Sequence, residues 1–161
     1  MIVNVDDFVG RFAIPTAVQN QNILKFGIKE LEQSFLEELL GYEVVSFLDP
    51  SYFDIIGGTI YTTADGKNHR WSGLKASIVP YIYYHYVRGS FPQLSGIGAV
   101  NASAENAPFA SPKSLSDKAW NLMVENNISL YDYINSPGLE TVAEIYIPSE
   151  KLIQKQNILG I

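Results

Sequence analysis

The chain has 161 residues, of which 47% are hydrophobic and 12% aromatic, so it can bury a core and is not an intrinsically disordered chain. The formal net charge is -6, with 11 scattered basic residues against 17 acidic ones, which argues against tight binding to nucleic acid or to an anionic membrane. The absence of cysteine excludes disulfides and thiolate metal sites.

Two features bear on location. The segment from Met1 to Asp7 has neither the basic residues nor the long apolar run of a signal peptide. The longest apolar stretch, from Ile78 to Val87, is far shorter than the roughly 20 residues that a membrane span needs. We therefore expect a soluble intracellular protein.

The first strong periodic signal predicts a helix over residues 22–40. Residues 1–19 look extended or irregular, since Gly10 and Pro15 interrupt any period. The apolar face of the helix repeats at spacings of four and three and consists of Leu24, Ile28, Leu31, Phe35 and Leu39. The other faces carry the charged residues Lys25, Lys29, Glu30, Glu32, Glu37 and Glu38. Gly41 stands where a left-handed C-cap is expected.

A β-hairpin is predicted next. A short amphipathic piece covers 42–48 and is stopped by an Asp-Pro pair. The run Thr59–Thr63 is rich in β-branched and aromatic residues, and Asn68–Trp71 can form the return strand. The Asp65-Gly66 pair between them is a turn signal, which favours a hairpin.

A second helix is predicted over 72–89, with an apolar repeat every four residues. Pro80 lies inside it, removes a backbone donor, and is expected to kink the helix. The repeat consists of Leu74, Ile78, Ile82 and Tyr86. Residues 90–112 carry little charge and no period, which indicates a long loop or an arm that becomes ordered against a partner.

A third helix is predicted to start at Ser111-Pro112, a serine cap followed by proline at the first helical position. It directs Leu115, Ala119, Leu122 and Met123 inward. The pattern weakens at 125–127, so Ser129 is interpreted as the start of a shorter fourth helix. Residues 139–161 show alternation over 142–147 and an apolar end.

These elements predict one mainly α domain over 1–161. The expected fold is a small helical bundle of three to four helices with a β-hairpin, a long extended loop at about 90–112 and an extended C-terminal tail at about 139–161.

Residues suited to catalysis or metal binding are few. His69 and His85 have no partner at a metal-ligand spacing; His69 is expected to be exposed, and His85 packed or interfacial. Adjacent acids such as Glu37 and Glu38 point in different directions on a helix. Gly96-Ile97-Gly98 lacks the strand and helix of a phosphate-binding loop. We expect no catalytic residue, no metal and no cofactor.

Tyrosine-rich and apolar segments are the candidates for protein contacts. A helix with tyrosines on several faces can pack internally or contribute to an interface, and stacking on single-stranded nucleic acid is disfavoured without a basic groove. The apolar C-terminus can tuck into its own core or dock on a partner as an added strand. The candidate interface residues are Tyr83, Tyr84, Tyr86, Ile97, Val100, Phe109, Ile158, Leu159 and Ile161.

An ordered set of short motifs spans roughly 22–161. In chain order they are Leu39-Leu40-Gly41-Tyr42, Trp71-Ser72-Gly73-Leu74-Lys75 with the tyrosine-rich helix, Glu105-Asn106-Ala107 before a Ser-Pro pair, Ala119-Trp120-Asn121 with Leu130 to Ile134, and Asn157 to Ile161. In this arrangement the chain resembles the head–tail connector (neck adaptor) proteins of tailed bacteriophages, of the crAss-like and Bacteroidetes phage type.

The resemblance implies a non-catalytic ring subunit. Such a ring, commonly of about twelve copies closed by head-to-tail contacts, docks onto the portal, joins other neck and tail proteins, and lets DNA pass without specific binding. Its location would be the virion neck, after assembly in the host cytoplasm.

Two other functions remain open. One is a small ligand-binding or enzymatic module that uses the tyrosine-rich helix and His85, which would need a pocket gathering His85 with an acidic residue. The other is a nucleic-acid-binding regulator, which the acidic balance disfavours.

Overall fold

The computed structural model describes residues 1–14, 21–41, 53–88, 112–137 and 150–156. Within these ranges the α-helices are α1 Gln21–Leu40, α2 Phe53–Gly57, α3 Leu74–Val87 and α4 Pro112–Ile134, the strands are β1 Thr59–Thr62 and β2 Asn68–Trp71, and 3-10 turns cover Val5–Asp7, Gly10–Phe12 and Glu150–Ile153. The predicted mainly α bundle with a β-hairpin is confirmed. The piece at 42–48, the loop up to residue 111, the alternating segment 142–147 and the apolar end at 158–161 lie outside the described residues.

Helix α1 packs as its periodicity predicts, with one exception. Leu24, Ile28, Phe35 and Leu39 are all buried. Glu32, which the charge pattern assigned to an outer face, is only 5% exposed. Its carboxylate accepts hydrogen bonds from the backbone N–H groups of Ile2 (2.8 Å to Oε1) and Val3 (2.8 Å to Oε2). A buried carboxylate needs such donors, and here they come from the start of the chain.

The N-terminal residues, expected to be irregular, are part of the core. Val3, Phe8 and Ile14 are buried, and Phe12 is partly buried and packs against the core. Asn4 and Asp7 form a capping box around the first 3-10 turn. The segment therefore covers α1 and α3 as an ordered strap.

The backbone segments that lead into and out of the hairpin pass very close to each other at Gly58 and Gly73. Strand β1 pairs antiparallel with β2, with Thr59 opposite Trp71. Gly58 and Gly73 flank this pair, and both have positive φ angles, +86° and +85°. A Cβ on Gly58 would stand 2.5 Å from the carbonyl oxygen of Trp71, and one on Gly73 would stand 2.6 Å from that of Ile56. Only glycine allows the backbones to approach this closely.

Helix α3 runs through Pro80 without interruption. Pro80 has no N–H, so the carbonyl oxygen of Ala76, four residues earlier, loses its intrahelical partner. The side chain of Asn126 on α4 supplies a replacement, since its Nδ2 donates to the Ala76 oxygen at 2.7 Å. The asparagine that weakened the sequence pattern of α4 thus compensates for the proline in α3.

A double-mutant cycle tests this compensation. Asn126→Ala in the natural chain is expected to lower the free energy of unfolding by about 1–3 kcal/mol, because a part-buried carbonyl is left unpaired. In a Pro80→Ala background the same change should cost clearly less, because the new backbone N–H can bond to Ala76. Urea denaturation of the four proteins measures the coupling. Equal costs of Asn126→Ala in the two backgrounds would refute it.

The predicted break between a third and a fourth helix is wrong. A single helix, α4, runs from Pro112 to Ile134, and it starts at the proline as predicted. Its C-terminal half covers the hairpin through Tyr133, whose ring lies 5.6 Å from that of Tyr61. Residues 126 and 127 stay helical because their side chains bond to backbone carbonyls of other segments.

Candidate functional site: an aromatic cleft with a lysine rim

Side chains of α4 bind the backbone of the described C-terminal segment, residues 150–156. The indole Nε1 of Trp120 donates to the carbonyl oxygen of Gln154 at 2.8 Å. Asn121 makes two bonds to Gln156: its Oδ1 accepts from the backbone N–H at 2.7 Å, and its Nδ2 donates to the carbonyl oxygen at 3.0 Å. The fully buried Asn127 donates to the carbonyl oxygen of Leu152 at 3.0 Å.

These bonds make residues 150–156 an integral part of the fold. Leu152 is fully buried beside α4. The sequence placed this stretch in an extended tail beginning near residue 139, and nothing in its local pattern indicated that part of the tail is held along α4. Side-chain amides that bond to backbone N–H and C=O groups act like the edge of a strand, so they hold the segment through its backbone in addition to the burial of Leu152.

Releasing this segment should be possible with one substitution. Asn121→Ala is expected to lower the free energy of local release of residues 154–156 by about 1–3 kcal/mol, because both polar backbone atoms of Gln156 lose their partner. Hydrogen exchange should show faster exchange at 154–156 and little change in α3. The matched control is Asn135→Ala, which removes an exposed bond to Tyr131 within the end of α4. Unchanged exchange at 154–156 in Asn121→Ala would contradict the role of Asn121.

Residues 150–156 form one wall of an open cleft of about 740 Å³. The opposite wall is the C-terminal half of α3, and Trp120 of α4 lies between them. The described lining residues are Tyr81, Tyr84, His85, Trp120, Lys151, Gln154, Lys155 and Gln156.

The aromatic side chains of the cleft are packed against one another and fixed by hydrogen bonds. The rings of Tyr84 and Trp120 lie 4.8 Å apart, and those of Tyr81 and His85 lie 4.6 Å apart. The Tyr84 hydroxyl accepts from Nε2 of Gln156 at 3.0 Å and from Nη1 of Arg88 at 2.9 Å. The aromatic rings thus pack against one another, and the Tyr84 hydroxyl is tied to two neighbouring side chains.

Two lysines stand at the rim. Lys151 Nζ lies 3.1 Å from Oε1 of Glu38, and Lys155 Nζ lies 2.8 Å from Oε1 of Glu125. The two lysine side chains are 69% and 54% exposed. Ion pairs in such exposed positions contribute little to stability, so the lysines remain accessible to another anionic group.

His85 is held in its neutral form. Burial lowers the pKa of His85 below its usual value, the nearby charges of Lys151 and Arg88 lower it further, and Glu38 opposes the shift. Burial disfavours the imidazolium ion, and the two cations repel it. The charge pattern around His85 is therefore net cationic.

Acidification should weaken the fold through this histidine. Because the pKa of His85 is lower in the folded chain, the unfolded chain takes up a proton first as the pH falls below about 6.5, its unperturbed value. The stability is complete above that pH and decreases below it. Urea denaturation at pH 7.5 and pH 5.5 should show this loss, and His85→Gln should reduce it, whereas His69→Gln, at an exposed position, should not. The same pH dependence in all three proteins would contradict this assignment.

The three tyrosines predicted to contribute to an interface, Tyr83, Tyr84 and Tyr86, differ in their burial and in what they contact. Tyr83 is buried, with its ring 5.3 Å from that of Phe12, and Tyr86 is partly buried against the core. Tyr84 alone of the three lines the cleft. Their contribution to an interface stays a prediction. The other candidates, Ile97, Val100, Phe109, Ile158, Leu159 and Ile161, lie outside the described residues.

No sequence pattern indicated several of the residues that line the cleft. Lys151 and Lys155 had no motif or period to single them out, and Trp120 drew attention only as part of an Ala-Trp-Asn motif. His69 is exposed on the hairpin, as expected, with its ring 5.8 Å from that of Tyr61.

Comparison with family models, with curated proteins and with solved structures gives no match to this chain. Across the described ranges no helix has the length and apolarity to cross a membrane, and no three side chains of the metal-ligating types gather in one place. The described residues that line the cleft include no carboxylate, and Glu38, which acts on His85 from nearby, is paired with Lys151. The cleft thus contains His85, and the carboxylate that acts on His85 is that of Glu38, which Lys151 also engages.

Proposed function

We propose that this chain is a structural, non-catalytic subunit of a phage head–tail connector ring. In this role it docks onto the portal, surrounds the DNA channel and joins the capsid to neck and tail proteins in the virion. The ring contains several identical copies, about twelve by the resemblance, related by head-to-tail contacts.

The observation that carries the proposal is the position of the motifs on which the resemblance rests. Trp71 and Gly73 hold the hairpin against α2, through a hydrogen bond to Ile55 and a close backbone crossing. Trp120 and Asn121 hold the C-terminal segment against α4. These two motifs thus hold together segments that are separate in the sequence. Tertiary contacts of this kind suit a subunit that works by fitting against other proteins.

The charge balance is compatible with this role. With 17 acidic residues against 11 basic ones, the surface lacks the cation excess that binds phosphates. A channel wall of this charge would let DNA slide without adhering to it.

The cleft favours one alternative function, a small ligand-binding module centred on His85 and the tyrosine-rich helix. Under this alternative, His85→Ala would abolish binding or turnover of a small molecule and leave the melting temperature nearly unchanged. A fragment screen by ligand-observed NMR against the natural chain and His85→Ala tests it. Binding that is specific to the natural chain would favour the alternative over the ring subunit.

The direct test is reconstitution with the portal protein encoded in the same genome. The two proteins are mixed, ring-sized complexes are isolated, and cryo-EM is used to place each chain. We expect a closed ring of this chain against the portal. A chain that stays monomeric at all concentrations and is missing from the necks of purified virions would overturn the proposal.

A further inference from the structure

Helices α3 and α4 pack antiparallel, and the two ends of this helix pair carry different side chains. Tyr84 of α3 meets Trp120 of α4 at one end, and Ala76 meets Asn126 towards the other. Beyond Asn126, α4 continues to Tyr133, which packs on the hairpin. At 1.5 Å per helical residue, Trp120 and Tyr133 are about 20 Å apart along α4.

The cleft end is cationic. Lys151 and Lys155 stand at its rim, and Arg88 lies one turn beyond Tyr84. The carboxylates near it, Glu38 and Glu125, are each engaged by one of the lysines in an exposed pair. Among these five side chains the cations outnumber the carboxylates by three to two, in a chain whose net charge is -6.

The hairpin end exposes two carboxylates and several apolar side chains, and the hairpin itself adds the Lys67–Asp65 ion pair and the exposed Arg70 opposite Ile60. Asp54 and Asp132 are exposed there, and each lies close enough to a tyrosine to act on its hydroxyl, Asp54 on Tyr133 and Asp132 on Tyr61. Of the six large apolar side chains exposed among the described residues, Ile60, Ile128 and Tyr131 lie at this end. Ile128, Tyr131 and Asp132 follow at helical spacings of three and four, so they share one face.

Exposed apolar side chains rimmed by charge are typical of a protein interface. We call the set Asp54, Ile128, Tyr131 and Asp132 the acidic end.

From this polarity we propose that the cleft of one subunit receives the acidic end of the next copy in the ring. The proposal rests on the ring function proposed above and names the surfaces that meet. A head-to-tail contact needs two different, mutually complementary patches at separate places on one subunit. The lysines of the cleft meet Asp54 and Asp132, and the apolar side chains of the acidic end pack against the aromatic wall.

The internal ion pairs do not prevent this contact. Exposed lysine–carboxylate pairs contribute little, so each lysine can exchange its partner or share two carboxylates. Complementary charge at an interface sets orientation and rejects the wrong partner, because like charges brought together are costly. The contact should therefore weaken at 1 M salt, where the screening length falls to about 3 Å.

Charge reversal gives a sharp test. The cleft variant is Lys151→Glu with Lys155→Glu, and the acidic-end variant is Asp54→Lys with Asp132→Lys. Assembly on purified portal is followed by mass photometry as copies bound against concentration. Each variant alone should need at least about tenfold more protein for half-assembly than the natural chain. An equimolar mixture should assemble like the natural chain, in alternating order, because every contact then joins opposite charges.

The controls separate this contact from general charge effects and from misfolding. Lys25→Glu with Lys29→Glu, and Asp6→Lys with Glu30→Lys, make the same charge changes at exposed positions elsewhere and should assemble normally. The melting temperature of every variant shows whether it is folded.

The outcomes distinguish the two proposals. If the natural chain forms rings and the variants do too, or if the mixture is not restored, the contact is overturned and the ring function stands. If the natural chain forms no ring on the portal, the proposed function fails and the contact fails with it.

Discussion

Replacing Gly73 by alanine is expected to lower the free energy of unfolding by about 2–5 kcal/mol, one of the largest single effects in the molecule. Two costs add. The backbone at Gly73 has a φ of +85°, a conformation that an alanine adopts only with strain. The new methyl group would also stand 2.6 Å from the carbonyl oxygen of Ile56 and 2.8 Å from the carbonyl carbon of Gly57. These neighbours are backbone atoms, so relief requires the hairpin to move away from α2.

Gly66→Ala is the matched control, because it shares the conformational cost and lacks the steric one. Gly66 lies in the hairpin turn with a φ of +80°, and a methyl group added there would have no atom within 4 Å. Its substitution should cost only about 1–2 kcal/mol. Urea denaturation followed by circular dichroism measures both variants. If the two substitutions cost the same, the close crossing of the two chain segments is not present in solution.

The elements that the sequence predicts well are those whose signal is local. The apolar repeat of α1, with Gly41 as its C-cap, and the Asp65-Gly66 turn of the hairpin are each contained in a few adjacent residues. Helical and strand periods report which face of an element is buried, and that is enough for its type and approximate ends.

The errors arise where a distant group changes what a residue does. Asn126 and Asn127 are weak helix formers, so the pattern suggested a break there; their acceptors lie 50 and 25 residues away, at Ala76 and Leu152. Glu32 was assigned to solvent because it is charged, and its donors belong to residues 29 and 30 positions earlier. Tertiary contacts of this kind override local preference, and no window of the sequence contains them.

The cleft was predictable only in part, for the same reason. The tyrosines of α3 drew attention because they are adjacent in sequence. Their partners in the cleft are Trp120 and the rim lysines at 151 and 155, which meet α3 only after the chain has folded. The sequence therefore predicted an aromatic surface. The lysines at its rim could be placed there only from the folded structure.

The second large effect is expected at Trp71. Trp71→Ala should lower the free energy of unfolding by about 3–5 kcal/mol, a large part of the roughly 5–15 kcal/mol that stabilises a typical domain. The side chain is fully buried at the end of β2, and its Nε1 donates to the carbonyl oxygen of Ile55 at 2.8 Å. That carbonyl belongs to the last turn of α2, where no intrahelical donor is available. Loss of the indole thus leaves both a cavity and an unpaired buried carbonyl.

Phenylalanine separates these two contributions at both tryptophans. Trp71→Phe fills most of the cavity and removes the donor, so we expect a loss of about 1–3 kcal/mol that appears in global unfolding. Trp120→Phe removes the donor to Gln154, which lies in the segment at the edge of the fold, and should accelerate hydrogen exchange there before the global transition changes. If Trp120→Phe lowers global stability as much as Trp71→Phe and leaves exchange at 154–156 unchanged, the C-terminal segment is not a separately released wall of the cleft. The opposite pattern would show that Trp71 stabilises the body of the fold, whereas Trp120 holds residues 154–156 in place as one wall of the cleft.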